Sequence, residues 1–419
     1  VARSAGPLPV SGHSPYLEAA RALGHDERVP TPPRRPWTHD ASPNEIETRA
    51  ELDYHLTARS LRGLTVLGLR LDQDPPDLSA VDVADALFVG CRFTDAAAAA
   101  DVVARGGSVV PIFADVPYPI TPARLYTPED LARGFQAGGA GPGGFEAMFD
   151  TVVFRHFTAR GGPLPDVREA LAQRLHDAGI DRALSGFVGA WTAEHGPRRV
   201  VGVMGGHAVR RGEPAYRLAA SLAHQLTGAG RLVATGGGPG VMEAANLGAF
   251  LGQYPAEELA ATIDRLAAAP DFRDHEPYTA AALAERARHP DTDGAGGLSV
   301  PTWLYGHEPA NLFPGRIAKY FSNAIREDTL LRLARGGVVF APGWAGTVQE
   351  VFQAATKAFY RTDGDSGPLV FLDRAYWTET VPVQALLAPL LARSPHGDLT
   401  GVIHITDEVL DAVAVLASG

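Results

Sequence analysis

The stretch GVVFAPGWAGTVQEVFQAATKAFY (337–360) decides how the second half of this chain is read. Its opening residues Gly337-Val338-Val339-Phe340 are a short apolar run, which predicts a buried strand. Ala341-Pro342-Gly343-Trp344 breaks that run. From Thr347 to Tyr360 the apolar positions Val348, Val351, Phe352, Ala355 and Phe359 fall on one helical stripe. Thr347 and Glu350 stand three residues apart where the helix is expected to start, and the spacing has two readings. One is a capping box, with Thr at the N-cap and Glu at N3 satisfying each other's backbone donors. The other is a pair of side chains presented to a ligand, because Glu350 lies beside the apolar stripe and is free to face a cleft.

The same alternation recurs on both sides of this stretch. RRVVGVM (198–204) reads as a short buried strand, followed by a helical face of Leu218, Ala219, Leu222, Ala223 and Leu226. RLVAT (231–235) reads as a strand and GGGPGVMEAANLGAF (236–250) as a turn and helix. PLVFL (368–372), the apolar stretch 381–391, VIHI (402–405) and a last helix continue the series. Residues 252–300 read as a mostly helical excursion with a loop at DTDGAGG. Strands alternating with helices predict an α/β fold, a doubly wound parallel sheet with ligands at the carboxyl ends of its strands.

The first half is less regular. Residues 1–48 are proline-rich and read as an extended arm. Residues 49–190 are expected to form an additional N-terminal α/β domain, because ALFVG (86–90), DAAAAADVVARGG (95–107) and SVVPIF (108–113) spell strand, helix and strand. Leu56, Leu61, Val66 and Leu71 recur every five residues, as do Leu78, Val83, Phe88 and Phe93. That period fits either a pentapeptide-repeat β-helix or ordinary strands and helices. AGGAGPGG (137–144) reads as a flexible break and 167–187 as a helix leading to the second domain, 191–419.

Composition narrows the partners. A formal charge of -11 over 419 residues argues against nucleic-acid polymers and anionic membranes as partners, which leaves small molecules. Cys91 is the sole cysteine, so no internal disulfide or multi-cysteine metal site is possible, and a cytoplasmic location is expected. No apolar run reaches the roughly 18 residues a membrane span needs. G-x-G-x-x-G fails because residue 241 is Val, and no G-x-x-x-x-G-K-[ST] occurs. His307-Glu308 lacks the second histidine of H-E-x-x-H, so no metal is expected. Lys319 and Lys357, the only lysines, both read as helical and without the setting of a Schiff-base lysine, so no cofactor is expected either.

What remains is three glycine-bordered turns at strand ends: Gly205-Gly206-His207, Gly236 to Gly240, and the turn before Thr347. Such turns deliver free N–H groups and the positive end of a helix dipole, which suits a phosphate. GGGPGVMEAAN (236–246) followed by PGWAGTVQE (342–350) resembles the paired GGG…ME and PGGxGTxxE motifs of the LOG ("lonely guy") phosphoribohydrolase family. Gly205-Gly206-His207 and the chain length are more similar to its bacterial relatives, the nucleoside 5′-monophosphate nucleosidases, which carry an extra N-terminal region. The resemblance covers about residues 198–405.

It implies a Rossmann-like LOG fold and hydrolysis of the N-glycosidic bond of a nucleoside 5′-monophosphate to free base and ribose 5-phosphate, in a homodimer or larger homo-oligomer. Gly237, Gly238, Gly346 and Thr347 would hold the phosphate. Gly205, Gly206, His207, Met242, Glu243, Gly343 and Trp344 would complete the substrate site. Glu350 would be the catalytic carboxylate and Arg326 its partner. Arg326 otherwise reads as a surface salt-bridge residue, Glu243 as a helix-start carboxylate, and His207 as a capping or solvent-facing residue. Arg326 lies about 13.5 Å back along its helix, and the returning strand rises roughly 16 Å, so the two ends meet at one height. Trp344 replaces the family's second PGG glycine; an indole resists positive φ, so the turn is expected to be reshaped, or the ring to stack on the base. A non-catalytic nucleotide sensor or carrier is the alternative on the same fold, and an assembly protein the third.

Overall fold

In the computed structural model, the second half of the chain threads back and forth through a parallel sheet whose strand order reverses at its middle. The structure describes residues 44–137, 143–292 and 294–417, all within one compact unit, Asp40–Gly419. The proline-rich arm up to residue 43 and the centre of the glycine-rich break, 138–142, lie outside the described residues.

The strands are β1 (Glu45–Ile46), β2 (Thr65–Leu67), β3 (Leu87–Val89), β4 (Ser108–Val110), β5 (Val200–Met204), β6 (Leu232–Thr235), β7 (Leu298–Ser299), β8 (Arg316–Ile317), β9 (Gly337–Phe340), β10 (Leu369–Leu372) and β11 (Ile403–Thr406). The helices are α1 (Arg49–Thr57), α2 (Ala96–Ala104), α3 (Pro128–Ala132), α4 (Phe149–Ala159), α5 (Val167–His195), α6 (Pro214–Gly228), α7 (Val241–Phe250), α8 (Ala256–Leu266), α9 (His275–Arg288), α10 (Asn323–Leu333), α11 (Ala345–Tyr360), α12 (Val383–Leu391) and α13 (Val409–Ala417). Among the described residues they form a four-stranded sheet, β1-β2-β3-β4, and a seven-stranded sheet, β11-β10-β9-β5-β6-β7-β8, with every pairing parallel.

The large sheet is covered on both faces, as a parallel sheet must be. Side chains alternate along each strand. Val200, Met204, Val338, Phe340 and Phe371 enter one core with Leu330, Val351 and Leu387, while Val201, Val203, Val339 and Val370 enter another with Leu222, Leu247 and Leu416. This is the doubly wound arrangement that the alternation predicts. Its order reverses between β5 and β9, with β6 on one side and β10 on the other, and such a reversal opens a crevice at the strand ends.

The border expected near residue 190 falls inside α5, a 29-residue helix capped by Asp166. Tyr118, Tyr126, Phe149, Val153, Ile180 and Leu184 share a core with the large sheet, and Tyr126 exchanges two backbone hydrogen bonds with Ile317 of β8. The stretch between α1 and α2 that carries the five-residue period holds no helix. Its β2 lies parallel on β3 with Thr65 beside Leu87, Ser60 bridges Asp82 in parallel, and Leu61, Val66, Leu71, Val83 and Phe88 converge on one small core, so the successive turns of chain stack as coils of a β-helix do. Strands Glu45–Ile46, within the supposed arm, and the two-residue β7 and β8 are absent from the sequence reading. Each is too short to show a period.

One close helix contact yields a direct check. Gly248 of α7 faces α6 so tightly that a β-carbon there would overlap the Ala220 carbonyl oxygen, whereas one on Gly228 would meet nothing. Gly248→Ala should destabilise the fold by about 2 kcal/mol or more through overpacking. Gly228→Ala should be neutral or stabilise by roughly 0.5 kcal/mol. Urea denaturation of the two variants side by side checks this.

Candidate functional site

Three loops at the reversal of the sheet are tied to each other through their backbones. Gly206, after β5, donates to the Pro342 carbonyl at 3.0 Å, and its own carbonyl accepts from Val241, the first residue of α7, at 3.1 Å. Ala341 extends β9 by donating to Met204 at 2.9 Å. Gly237 adopts φ +74 and donates to Thr235 Oγ1 at 3.1 Å, a conformation for which glycine carries no steric cost. The loop after β6 is thereby held against the same edge.

These loops border a cleft of about 410 Å³, within the range usual for small-molecule sites. Gly205, Gly206, His207, Gly237, Gly238, Met242, Trp344, Gly346 and Thr347 line it, together with Arg326 and Glu350. Helices α7 and α11 both begin here, and neither N-cap residue, Gly240 or Trp344, makes a side-chain capping bond. The first N–H groups of a helix have no partner within it, so two positive helix ends border one cleft.

The capping-box reading is overturned. Helix α11 starts at Ala345, so Thr347 is its third residue and Glu350 lies nearly a turn further in. Trp344, at the N-cap, is extended with φ -97, and the helix begins directly after it. The same angle removes the expected conflict, because this position does not require positive φ and tryptophan occupies it without strain. Two of the sequence-selected residues lie off the cleft. Gly343 is packed where a β-carbon would press on Thr347, and its carbonyl accepts from the Tyr376 hydroxyl. Glu243 is fully buried in the opposite direction, accepting from Arg211 Nε at 2.7 Å, from Tyr216 at 2.9 Å and from the Tyr278 hydroxyl. That network is a structural anchor for the start of α7.

Arg326 is buried rather than part of a surface pair. Its Nε donates to the Val300 carbonyl at 2.9 Å, its approach to Glu327 is 3.8 Å, and Asp328 pairs instead with Lys357 at 3.0 Å. It reaches this place because Gly236 has no side chain; a β-carbon there would collide with the guanidinium. Helix α10, which carries Arg326, is fixed from the first half of the chain. Asp177 of α5 accepts from the Phe321 and Ser322 backbone at 2.8 and 2.9 Å, and Ser322 is the N-cap of α10. Burial holds the imidazole of neighbouring His176 below its usual pKa, favouring the neutral ring.

Burial pushes the Glu350 carboxyl up to about 7, against the lowering pull of Arg326 and with added repulsion from Glu327. Glu327 also lines the cleft and is held by Asn323 at 2.8 Å and by Gln349 at 3.0 Å. A carboxyl poised near neutrality beside a fixed cation is suited to proton transfer and to stabilising positive charge.

Several cleft residues escaped the sequence reading. The segment after β7 supplies Pro301, Tyr305 and Glu308, and Glu308 binds His207 Nδ1 at 2.7 Å across the cleft. Lys319, expected in a helix, lies instead just past β8. Its ammonium is buried against Asp150 of α4 at 2.6 Å, and Trp303 Nε1 donates to the same carboxylate at 2.9 Å. The only signals were His307-Glu308, visible as an incomplete metal motif, and the rarity of lysine. Among the described residues, no group of three His, Cys, Asp or Glu side chains is placed to hold a metal ion, and no helix is long and apolar enough to cross a membrane.

No protein-family model matches the sequence, and comparison with curated proteins finds no match.

The raised Glu350 pKa has a consequence for stability. The folded protein keeps its proton up to about pH 7, whereas the unfolded chain releases it near 4.5. Stability is therefore lost as pH climbs from about 4.5 through 7, on the order of 3 kcal/mol in all. Glu350→Gln carries no such penalty. It should match the wild type at pH 5 and melt several degrees higher at pH 8, as measured by thermal denaturation at the two pH values.

Proposed function

We propose that the chain hydrolyses the N-glycosidic bond of a nucleoside 5′-monophosphate, releasing the free base and ribose 5-phosphate. The observation that carries this reading is the shared cleft. The partly buried Glu350 carboxyl and the buried Arg326 guanidinium line the same cavity as two helix starts bordered by glycine. The LOG-like motifs, and the Rossmann-like parallel sheet on which they sit, support it as well.

In this reading the 5′-phosphate lies against Gly237, Gly238, Gly346 and Thr347, where N–H groups and helix dipoles favour an anion. Binding energy from the phosphate, remote from the reacting bond, positions the ribose. As the C1′–N bond breaks, positive charge builds on the sugar, and the Glu350 carboxylate stabilises it as in other oxocarbenium-like transition states. The same carboxylate orients and deprotonates the water that adds to C1′, and the departing base takes up a proton. Arg326 fixes the position of the carboxylate and, by its charge, keeps more of it ionised. A homodimer or larger assembly belongs to the same proposal.

Incubation with AMP, GMP, CMP and UMP should release free base, detected chromatographically. Glu350→Gln should lose at least a hundredfold in kcat while still binding nucleotide. Nucleotide binding with no base release by the wild type would replace this reading with a sensor or carrier.

The working form of Glu350 is the carboxylate, so kcat/KM should rise through about pH 7 and level off above it. Arg326→Ala removes the charge that lowers the Glu350 pKa, and should move that rise to higher pH as well as slow turnover. A pH–rate profile of both proteins measures the shift.

A further inference from the structure

Two large aromatic side chains stand exposed in the same cleft, and the chemistry proposed above uses neither. Trp344, at the N-cap of α11, is 78% exposed, and Tyr305, on the loop after β7, is 47% exposed. Of the other described tryptophans, Trp303 and Trp377 are buried completely and Trp191 stacks on His195. Leaving an indole in water forfeits the gain from burying it, and exposed aromatic surface beside a formed small-molecule cleft marks a surface that a ligand covers.

The cleft also tells which part of a ligand this is. The glycine loops and helix starts are polar and suited to an anion, and the partly buried Glu350 and the buried Arg326 line the same cleft. Trp344 is followed by Ala345, Gly346 and Thr347, so its ring stands within one side chain's reach of the phosphate-binding turn. Tyr305 lines the same cleft from a different segment, the loop that also carries Glu308. A flat, uncharged ring system tethered to a sugar phosphate matches two exposed π faces bordering an anion site.

We infer that Trp344 and Tyr305 form an aromatic clamp that grips the nucleobase, making the site selective for purine over pyrimidine monophosphates. The inference rests on the proposed nucleotide substrate and assigns its specificity. Stacking is sensitive to the area of the π face rather than to edge hydrogen bonds, so a bicyclic base gains more than a monocyclic one. Tryptophan at this position thus has a role that glycine could not supply.

The test uses Glu350→Gln full-length protein, which prevents turnover, and measures affinities for AMP, CMP and ribose 5-phosphate by calorimetry. AMP should bind several-fold more tightly than CMP. Trp344→Ala and Tyr305→Ala should each weaken AMP about tenfold, narrow the AMP–CMP difference, and leave ribose 5-phosphate within twofold. Trp344→Phe, which keeps a ring, should retain most of the AMP affinity, whereas Trp344→Leu should not. Equal losses for AMP and ribose 5-phosphate would overturn the clamp, as would unchanged AMP affinity in the alanine variants. A Trp344→Ala variant altered only in self-association, as seen by sedimentation, would overturn it too. Wild-type base release with aromatic-independent binding would leave the hydrolase reading standing without the clamp. Aromatic-dependent AMP binding without base release would do the reverse.

Discussion

The two hydrogen bonds of Gly206, one given to Pro342 and one taken from Val241, hold the working edge of this protein together. They join the loop after β5 to the loop after β9 and to the start of α7. Parallel strands leave their carboxyl ends open wherever the winding reverses, and here the reversal lies between β5 and β9. The starts of α7 and α11 border one cavity there, and Gly236 leaves room for the Arg326 guanidinium.

Much of the support for this edge comes from the first half of the chain. Asp177 of α5 holds the backbone just ahead of α10, and Asp150 of α4 holds both Lys319 and Trp303. These carboxylates are buried and fully engaged, and removing any one of them would leave buried donors without acceptors, at a cost of several kcal/mol. The residues before 190 are thus part of the scaffold that sets the position of Arg326 and the floor of the cleft. The raised pKa of Glu350 marks where the fold gives up stability: a carboxyl kept from water is poised for chemistry and unfavourable for folding at neutral pH.

The structure follows the sequence most closely where strands are four or five residues long. β5, β6, β9, β10 and β11 each stand where an apolar run predicts them, as do α2 between β3 and β4 and the long α5. Strands of two residues, β1, β7 and β8, have no period to detect, because alternation needs at least two repeats to be seen. Their absence from the reading hid Tyr305, Glu308 and Lys319, which stand on the loops those strands position. The start of α11 was also misplaced, since a Thr–Glu spacing is compatible with a helix that begins at either end of Ala345-Gly346.

The sequence by itself determined the alternation of strand and helix, the glycine turns at three strand ends, and the presence of Glu350 and Arg326 in positions able to meet at one height. Those are local or periodic properties, written in neighbouring residues. Only the tertiary structure decided that Glu243 turns away into an Arg211 and tyrosine network while Glu350 faces the cleft, that Gly343 serves packing, and that Trp344 and Tyr305 share a cavity. Which side of a helix meets the core, and which carboxylate finds a buried cation, depends on elements far apart in the chain that pack against each other, and no local pattern encodes that choice.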